Sequence, residues 1–296
     1  MALFIKKYKS LILTSLIFHI FALIFSLGHL HPDEHYQILE YLGVKLGSTP
    51  VSDLSWEYGA RMRPWLHPSI YFLVAKFFAL FNIENHFTLT YIFRFISLSL
   101  GFTSSLFLAR FCEEKFKNAK YSIYSALLLW PLPFLHARIS SEAVGTSVFT
   151  FALILFFKSS KKSLILTGIL FGVSFLLRYH IGFMIFGLCL HALIKKKKSI
   201  GDLSLITLTT LTIIFLSIFV GYWGYGEMTF APLEYFKQNI IENKAANYGT
   251  SPWWYYLTAT FNKLLPPIGL ISLISFFYLW IKRPLSWFTF ATLPFL

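Results

Sequence analysis

The stretch from Leu11 to Leu30 is almost wholly apolar, and stretches of its kind recur at 66–82, 87–109, 121–136, 139–157, 163–177, 181–194, 203–222, 253–281 and 285–296. A helix of about 20 such residues crosses the hydrocarbon of a bilayer. So many long apolar runs exceed what one globular core can hide. Backbone groups in lipid must bond within the protein, and these runs show no strand-like alternation, so the spans are expected to be helices. The predicted fold class is therefore an all-α polytopic membrane protein. Composition agrees: 56% of the residues are hydrophobic and 13% charged, where a soluble domain carries about 25% charged residues.

The formal net charge of +13 invites a nucleic-acid reading. Its distribution argues against one. The cations sit in short gaps between apolar runs: Lys6, Lys7 and Lys9; Lys115, Lys117 and Lys120; Lys158, Lys161 and Lys162; Lys195 to Lys198; Lys282 with Arg283. That is the pattern of cytoplasmic loops under the positive-inside rule. No basic domain stands apart to grip a phosphate backbone, so no nucleic-acid partner is expected. With the N-terminus inside, the first run exits to the outer face, 31–65 becomes a first external loop and 223–252 a second. The basic loops agree on this topology only if 66–82 does not cross. That run opens Pro64-Trp65-Leu66-His67-Pro68 and carries Lys76 centrally, so it reads as a juxtamembrane or re-entrant helix. The whole of 1–296 reads as a single transmembrane module. Within 223–252, Pro232 near a helix start and Leu233, Phe236, Ile240 and Ile241 on one face predict an amphipathic helix lying on the membrane.

Cys112 and Cys189 are the two cysteines, too few for a disulfide framework or a zinc set. The N-terminal lysines and the run after them resemble a signal peptide, but no small-residue cleavage site follows, so the run reads as a retained span. There is no Asn-x-Ser/Thr sequon, which favours a bacterial inner membrane over the endoplasmic reticulum.

Chemistry concentrates where the first run ends, at His31-Pro32-Asp33-Glu34-His35-Tyr36-Gln37. Proline at a first helical turn followed by two acids is also a good helix start, and capping alone would explain it. Three features point beyond capping: two flanking histidines, Gln37 and Glu40 on nearby turns, and a second polar, aromatic external loop. A carboxylate there can take a proton from an attacking alcohol. A metal site is the competing reading, since His31 and His35 lie four apart beside Asp33 and Glu34. It lacks a clear further ligand, and no cofactor is demanded.

A second cluster is Ser55-Trp56-Glu57-Tyr58-Gly59-Ala60-Arg61-Met62-Arg63-Pro64-Trp65. It suits an interfacial aromatic belt, and it equally suits a wall against a lipid phosphate, because an arginine fork holds phosphate oxygens in pairs. Arg138 with Glu142, and Arg178 with His180, lie among apolar runs, where ionisable groups tend to mark function. The third cluster is Asn247-Tyr248-Gly249-Thr250-Ser251-Pro252-Trp253-Trp254-Tyr255-Tyr256, a turn followed by aromatics that suit an interface or a sugar face. The chain has no Walker loop, dinucleotide fingerprint, zincin motif or serine elbow. It lacks the inverted halves of a transporter.

In their order and spacing, HPDEHYQ, SWEY with its Arg-Pro stretch, and NYGTSPWWYYL resemble glycosyltransferase family 22, the membrane α-mannosyltransferases of the GT-C fold class. The likeness runs over about 1 to 280 and is nearest to the GPI mannosyltransferases. It implies a GT-C-type helix bundle with two long external loops and a polyprenyl- or dolichyl-phosphate mannose donor. It further implies a glycan or glycolipid acceptor and inversion to an α-mannoside. Asp33 matches the family's proposed catalytic acid, with Glu34 its neighbour. Substrate contacts are then expected from His31, His35, Gln37, Trp56, Glu57, Arg61, Arg63, Arg138, Arg178, His180, Tyr248 and Trp253. Ser251 stands where the family often has histidine, and the family continues through further spans, so this sequence reads as a truncated member. A transporter or lipid flippase, or an inactive remnant, is the alternative.

Overall fold

The structure, a computed structural model, describes residues 1–29 and 31–292. Among them the regular structure is helical, with no strand. Two helices, His86–Lys115 and Ile200–Tyr225, are long and apolar enough to cross a bilayer. Lys9–Phe25, Leu66–Ala79, Ser141–Phe156, Ile181–Ile194 and Pro266–Lys282 are shorter apolar helices. At 1.5 Å per residue the 14 residues of Leu66–Ala79 reach about 21 Å, short of a hydrocarbon core of roughly 30 Å.

Local chemistry sets the boundaries. Side-chain oxygens of Asn85, Ser140 and Ser160 accept backbone N–H groups at the starts of three helices, satisfying donors that have no intrahelical partner. Proline, which cannot donate and clashes with the preceding turn, breaks two runs that the apolar pattern had joined. The 121–136 run is Lys120–Leu128 and then Pro131–His136. The 253–281 run is Tyr255–Lys263 and then Pro266–Lys282, with Leu265 in the left-handed region between them (φ 67°). The expected amphipathic segment is Ala231–Phe236 continuing into Lys237–Ile241, and Leu233, Phe236, Ile240 and Ile241 are all exposed.

The chain forms two compact units. The first holds Met1–Ile181 with Ser204–Tyr235. In it, Ser141–Phe156 packs on Lys161–Leu177 and on His86–Lys115, which also packs on Lys9–Phe25, Lys120–Leu128 and Pro131–His136. A core of Ile38, Leu42, Tyr71, Ala75, Leu89, Phe93 and Ile139 ties the segment after the first span to Leu66–Ala79 and to the start of His86–Lys115. In the second unit, Gly182–Leu203 with the chain from Phe236 on, Tyr255–Lys263 packs on Pro266–Lys282. Both cysteines are free.

Candidate active site

The acidic motif opens a helix of three parts. After Lys9–Phe25 the chain turns through Ser26 to Gly28, whose φ of 62° is cheap for glycine. Pro32–Glu34 begins the new helix; the ring Nδ1 of His31 accepts the Asp33 N–H at 3.3 Å, and Pro32 takes a first-turn position that needs no donor. The helix then widens into a π turn over His35–Leu39 and closes as Glu40–Leu46 on left-handed Gly47. Single π turns are rare and cluster at functional sites. The helix-start role expected of Pro32, Asp33 and Glu34 is present in the structure.

The two acids have different surroundings. Asp33 keeps 28% of its side chain exposed and lies 3.3 Å from His31 Nδ1. Glu34 is buried at 2%. Its charge acts on Arg138, whose own pKa is lowered by burial and by neighbouring Arg94, with Glu34 opposing both. The Arg138 fork donates to the carbonyls of Gly28 (2.8 Å) and Leu27 (3.4 Å). Arg94 donates to the carbonyls of Ser26 and Gly28. Two guanidiniums, 7% and 3% exposed, therefore clamp the turn that delivers the acidic motif. Arg138, expected from sequence to contact a phosphate, is buried; its two terminal nitrogens donate to backbone carbonyls and its Nε has no partner among the described residues. Arg94 was missed by sequence reasoning, although an arginine inside the apolar run 87–109 was a signal, since such a charge is costly unless paired.

The second cluster is fastened to the end of Ile200–Tyr225. Tyr225 Oη donates to the Arg63 carbonyl at 2.8 Å, and Tyr179 Oη to the Met62 carbonyl at 3.5 Å. Trp65, 1% exposed, lies against Tyr41, Trp223 and Tyr225, and its ring packs over Gly224, where an added Cβ would sit 2.1 Å from it. Within this frame Arg63 holds Glu57 bidentately, Nε to Oε2 at 3.1 Å and Nη2 to Oε1 at 2.6 Å, and lies 5.6 Å over the Tyr235 ring. Burial works against the Arg63 charge, but Glu57, with Asp33 and Tyr235 behind it, raises its pKa on balance. Arg61 takes a left-handed backbone (φ 54°) and pairs with Glu227 instead. Trp56 is exposed.

Arg63, Gln37, His67, Arg178, Tyr179 and His180 line one niche, with about 20 Å³ of open room, enough for a water or one phosphate oxygen. Arg178 is paired with Glu142 at 3.0 Å. Burial lowers the His180 pKa, and the positive charges of Arg178 and Arg63 lower it further. The opposite side of the acidic helix faces a second, larger cleft of about 630 Å³, lined by Glu34, His35 and Glu40 among apolar residues. His35 Nε2 lies 3.3 Å from Glu40 Oε1. His31 and His35 thus face different acids, and among the described residues no three His, Cys, Asp or Glu side chains gather as metal ligands. Tyr248 and Trp253 belong to the second unit. The Tyr248 side chain lies outside what the structure describes, and Trp253 is exposed, edge-on to Trp254 at 5.5 Å.

An all-helical chain with two bilayer-length helices and a partly exposed carboxylate at a helix start defines the class the fold supports: a helical membrane protein with a polar site at the end of an apolar run. The chain belongs to the Alg9-like mannosyltransferase family, whose model matches residues 10–296, and so stands among the glycosyltransferases. It is 24% identical over 249 residues to GPI mannosyltransferase 3 of Drosophila melanogaster, covering 83% of this chain and 42% of that protein. It is also 24% identical over 239 residues to GPI mannosyltransferase 3 of Debaryomyces hansenii, covering 76% and 43%. The chain spans less than half the length of these relatives. No solved structure matches it.

Proposed function

We propose that this chain transfers mannose from a polyprenyl- or dolichyl-phosphate donor to a hydroxyl of a glycan or glycolipid, with inversion, to give an α-mannoside. One observation carries the reading: Asp33, partly exposed, opens the helix that walls both cavities, one of them faced by guanidiniums. The acceptor oxygen attacks the anomeric carbon and its proton passes to Asp33 as general base. The bond from that carbon to the phosphate oxygen breaks, and the phosphate leaves with the electron pair. Its growing charge is met by the unused N–H edges of Arg63 and Arg178 and by His180.

In this reading 1–296 is one GT-C-type module, with 31–65 and 223–252 on the outer face and 66–82 lying along the interface. Both named relatives come from eukaryotes, which turns the preferred membrane from a bacterial one to the endoplasmic reticulum. Family membership favours group transfer over a transporter or flippase. The test is incubation of membranes containing the chain with polyprenyl-phosphate-linked labelled mannose and a mannosyl glycolipid. Mass analysis should show one added hexose, and a linkage-specific mannosidase should show it to be α. A β-linked product, or label moved across vesicles without transfer, would overturn the reading.

A further inference from the structure

We infer that the 630 Å³ cleft is the acceptor subsite, built for an uncharged sugar carried on a hydrocarbon chain, while the arginine niche serves the anionic donor. The inference rests on the transferase reading and adds where the second substrate sits. The volume falls within the range of sites that enclose a small organic ligand. The cleft mixes polar and apolar lining. Glu34, His35 and Glu40 reach it from the acidic helix, with the His35 ring stacked on His29 at 6.2 Å. Leu39, Leu42, Leu46, Phe87 and Tyr91 supply apolar surface.

Charge and polarity favour the uncharged substrate here. Among the described residues lining this cleft there are two carboxylates, Glu34 and Glu40, against one guanidinium, Arg94, which donates to the carbonyls of Ser26 and Gly28. The polar groups that the acidic helix presents to the cleft are carboxylates and an imidazole, with Ser48, Thr49 and Thr90 adding hydroxyls. A phosphate beside Glu34 and Glu40 would meet like charge, which disfavours its binding there. Sugar hydroxyls, by contrast, donate to carboxylates, and sugar C–H faces lie well on the exposed rings of His29 and Tyr91. On the far side of the same helix, Gln37 faces the niche that holds Arg63, Arg178 and His180. A single short helix thus separates a carboxylate-lined cleft from a guanidinium-lined niche. Asp33 lies at the end of that helix, and its charge is felt by Arg63. Helix rise puts Glu40 about 10 Å from Asp33 along the axis, so Glu40 would hold a sugar one residue removed from the reacting hydroxyl.

The test is equilibrium binding of radiolabelled octyl α-mannoside to the purified chain in detergent, with octyl phosphate as competitor. Binding is expected, and octyl phosphate should fail to displace the mannoside. His35→Ala and Glu40→Gln should each raise its Kd about tenfold, the size of one lost hydrogen bond to a charged group. Thr90→Phe, which narrows the cleft from a half-buried position on His86–Lys115, should weaken it at least as much without removing a polar group. Arg110→Ala, an exposed pair far from the cleft, is the control and should leave Kd unchanged. Circular dichroism on each variant separates lost binding from lost fold. Displacement by octyl phosphate, or Kd unmoved by both Glu40→Gln and Thr90→Phe in folded protein, would overturn the inference. Binding needs no turnover, so mannoside bound without any transfer would instead count against the transferase reading.

Discussion

Replacing Arg138 by alanine is expected to be among the most damaging single changes in the first unit. The residue is 3% exposed, and its fork donates to Gly28 and Leu27 at 2.8 and 3.4 Å. Arg94 still reaches the Gly28 carbonyl in the variant, so one acceptor keeps a donor. The Leu27 carbonyl loses its bond from Arg138, and the buried Glu34 carboxylate loses a cation whose field now reaches it. Stripping a carbonyl of a charged donor costs about 1–3 kcal/mol, and taking a nearby cation from a buried carboxylate adds to it. At about 2–4 °C per kcal/mol for a chain of this size, thermal unfolding should fall by several degrees, up to about 10 °C. Arg138→Lys keeps the charge near Glu34 but not the planar fork, so it should recover part of the loss. The comparison is Arg110→Ala, which removes a helix-surface pair with Glu114 whose side chains are 38% and 54% exposed. Such pairs contribute about 0.3–0.5 kcal/mol. The assay is thermal unfolding of detergent-purified protein. If Arg138→Ala shifts the midpoint no more than Arg110→Ala does, the clamp reasoning is wrong.

Three further outcomes follow from the same geometry. Arg63→Lys replaces a bidentate hold on Glu57 with a single point, and should raise the KM for the lipid-phosphate donor about tenfold while leaving acceptor KM near its normal value in steady-state transfer assays. Because the folded-state pKa of His180 lies below its ordinary 6.5, the unfolded chain binds that proton first as pH falls. Stability should therefore drop on going below pH 6.5, and His180→Gln should flatten part of that slope in unfolding curves at pH 7.5 and 5. Gly224→Leu would drive a side chain into the buried Trp65 ring and should cost about 1–3 kcal/mol, read as a lower unfolding midpoint.

The helical character was legible because lipid leaves few choices: long runs without alternation must be helices. The acidic motif was legible for a related reason, since Pro32, Asp33 and Glu34 announce a helix start just where the first run ends. The prolines at 131, 133, 266 and 267 were also visible, and reading apolarity alone overlooked their power to break a run. The fate of each arginine was not legible. Arg63 finds Glu57 six residues away, Arg178 finds Glu142 thirty-six residues away, and Arg138 closes on a turn 110 residues earlier. Only packing brings such partners together, and nothing local marks which cation is spent. The π turn at His35–Leu39 likewise has no reliable local signature, yet it belongs to the helix that divides the two cavities.

The most direct measurement is the transfer rate of Asp33→Asn against the parent chain, in membranes carrying equal amounts of each, with saturating labelled polyprenyl-phosphate mannose and acceptor. Asparagine keeps the shape and the helix cap but cannot take a proton. The account predicts a rate lower by about 100-fold or more, with unfolding midpoint and donor binding unchanged. A variant transferring mannose at close to the parental rate would contradict it.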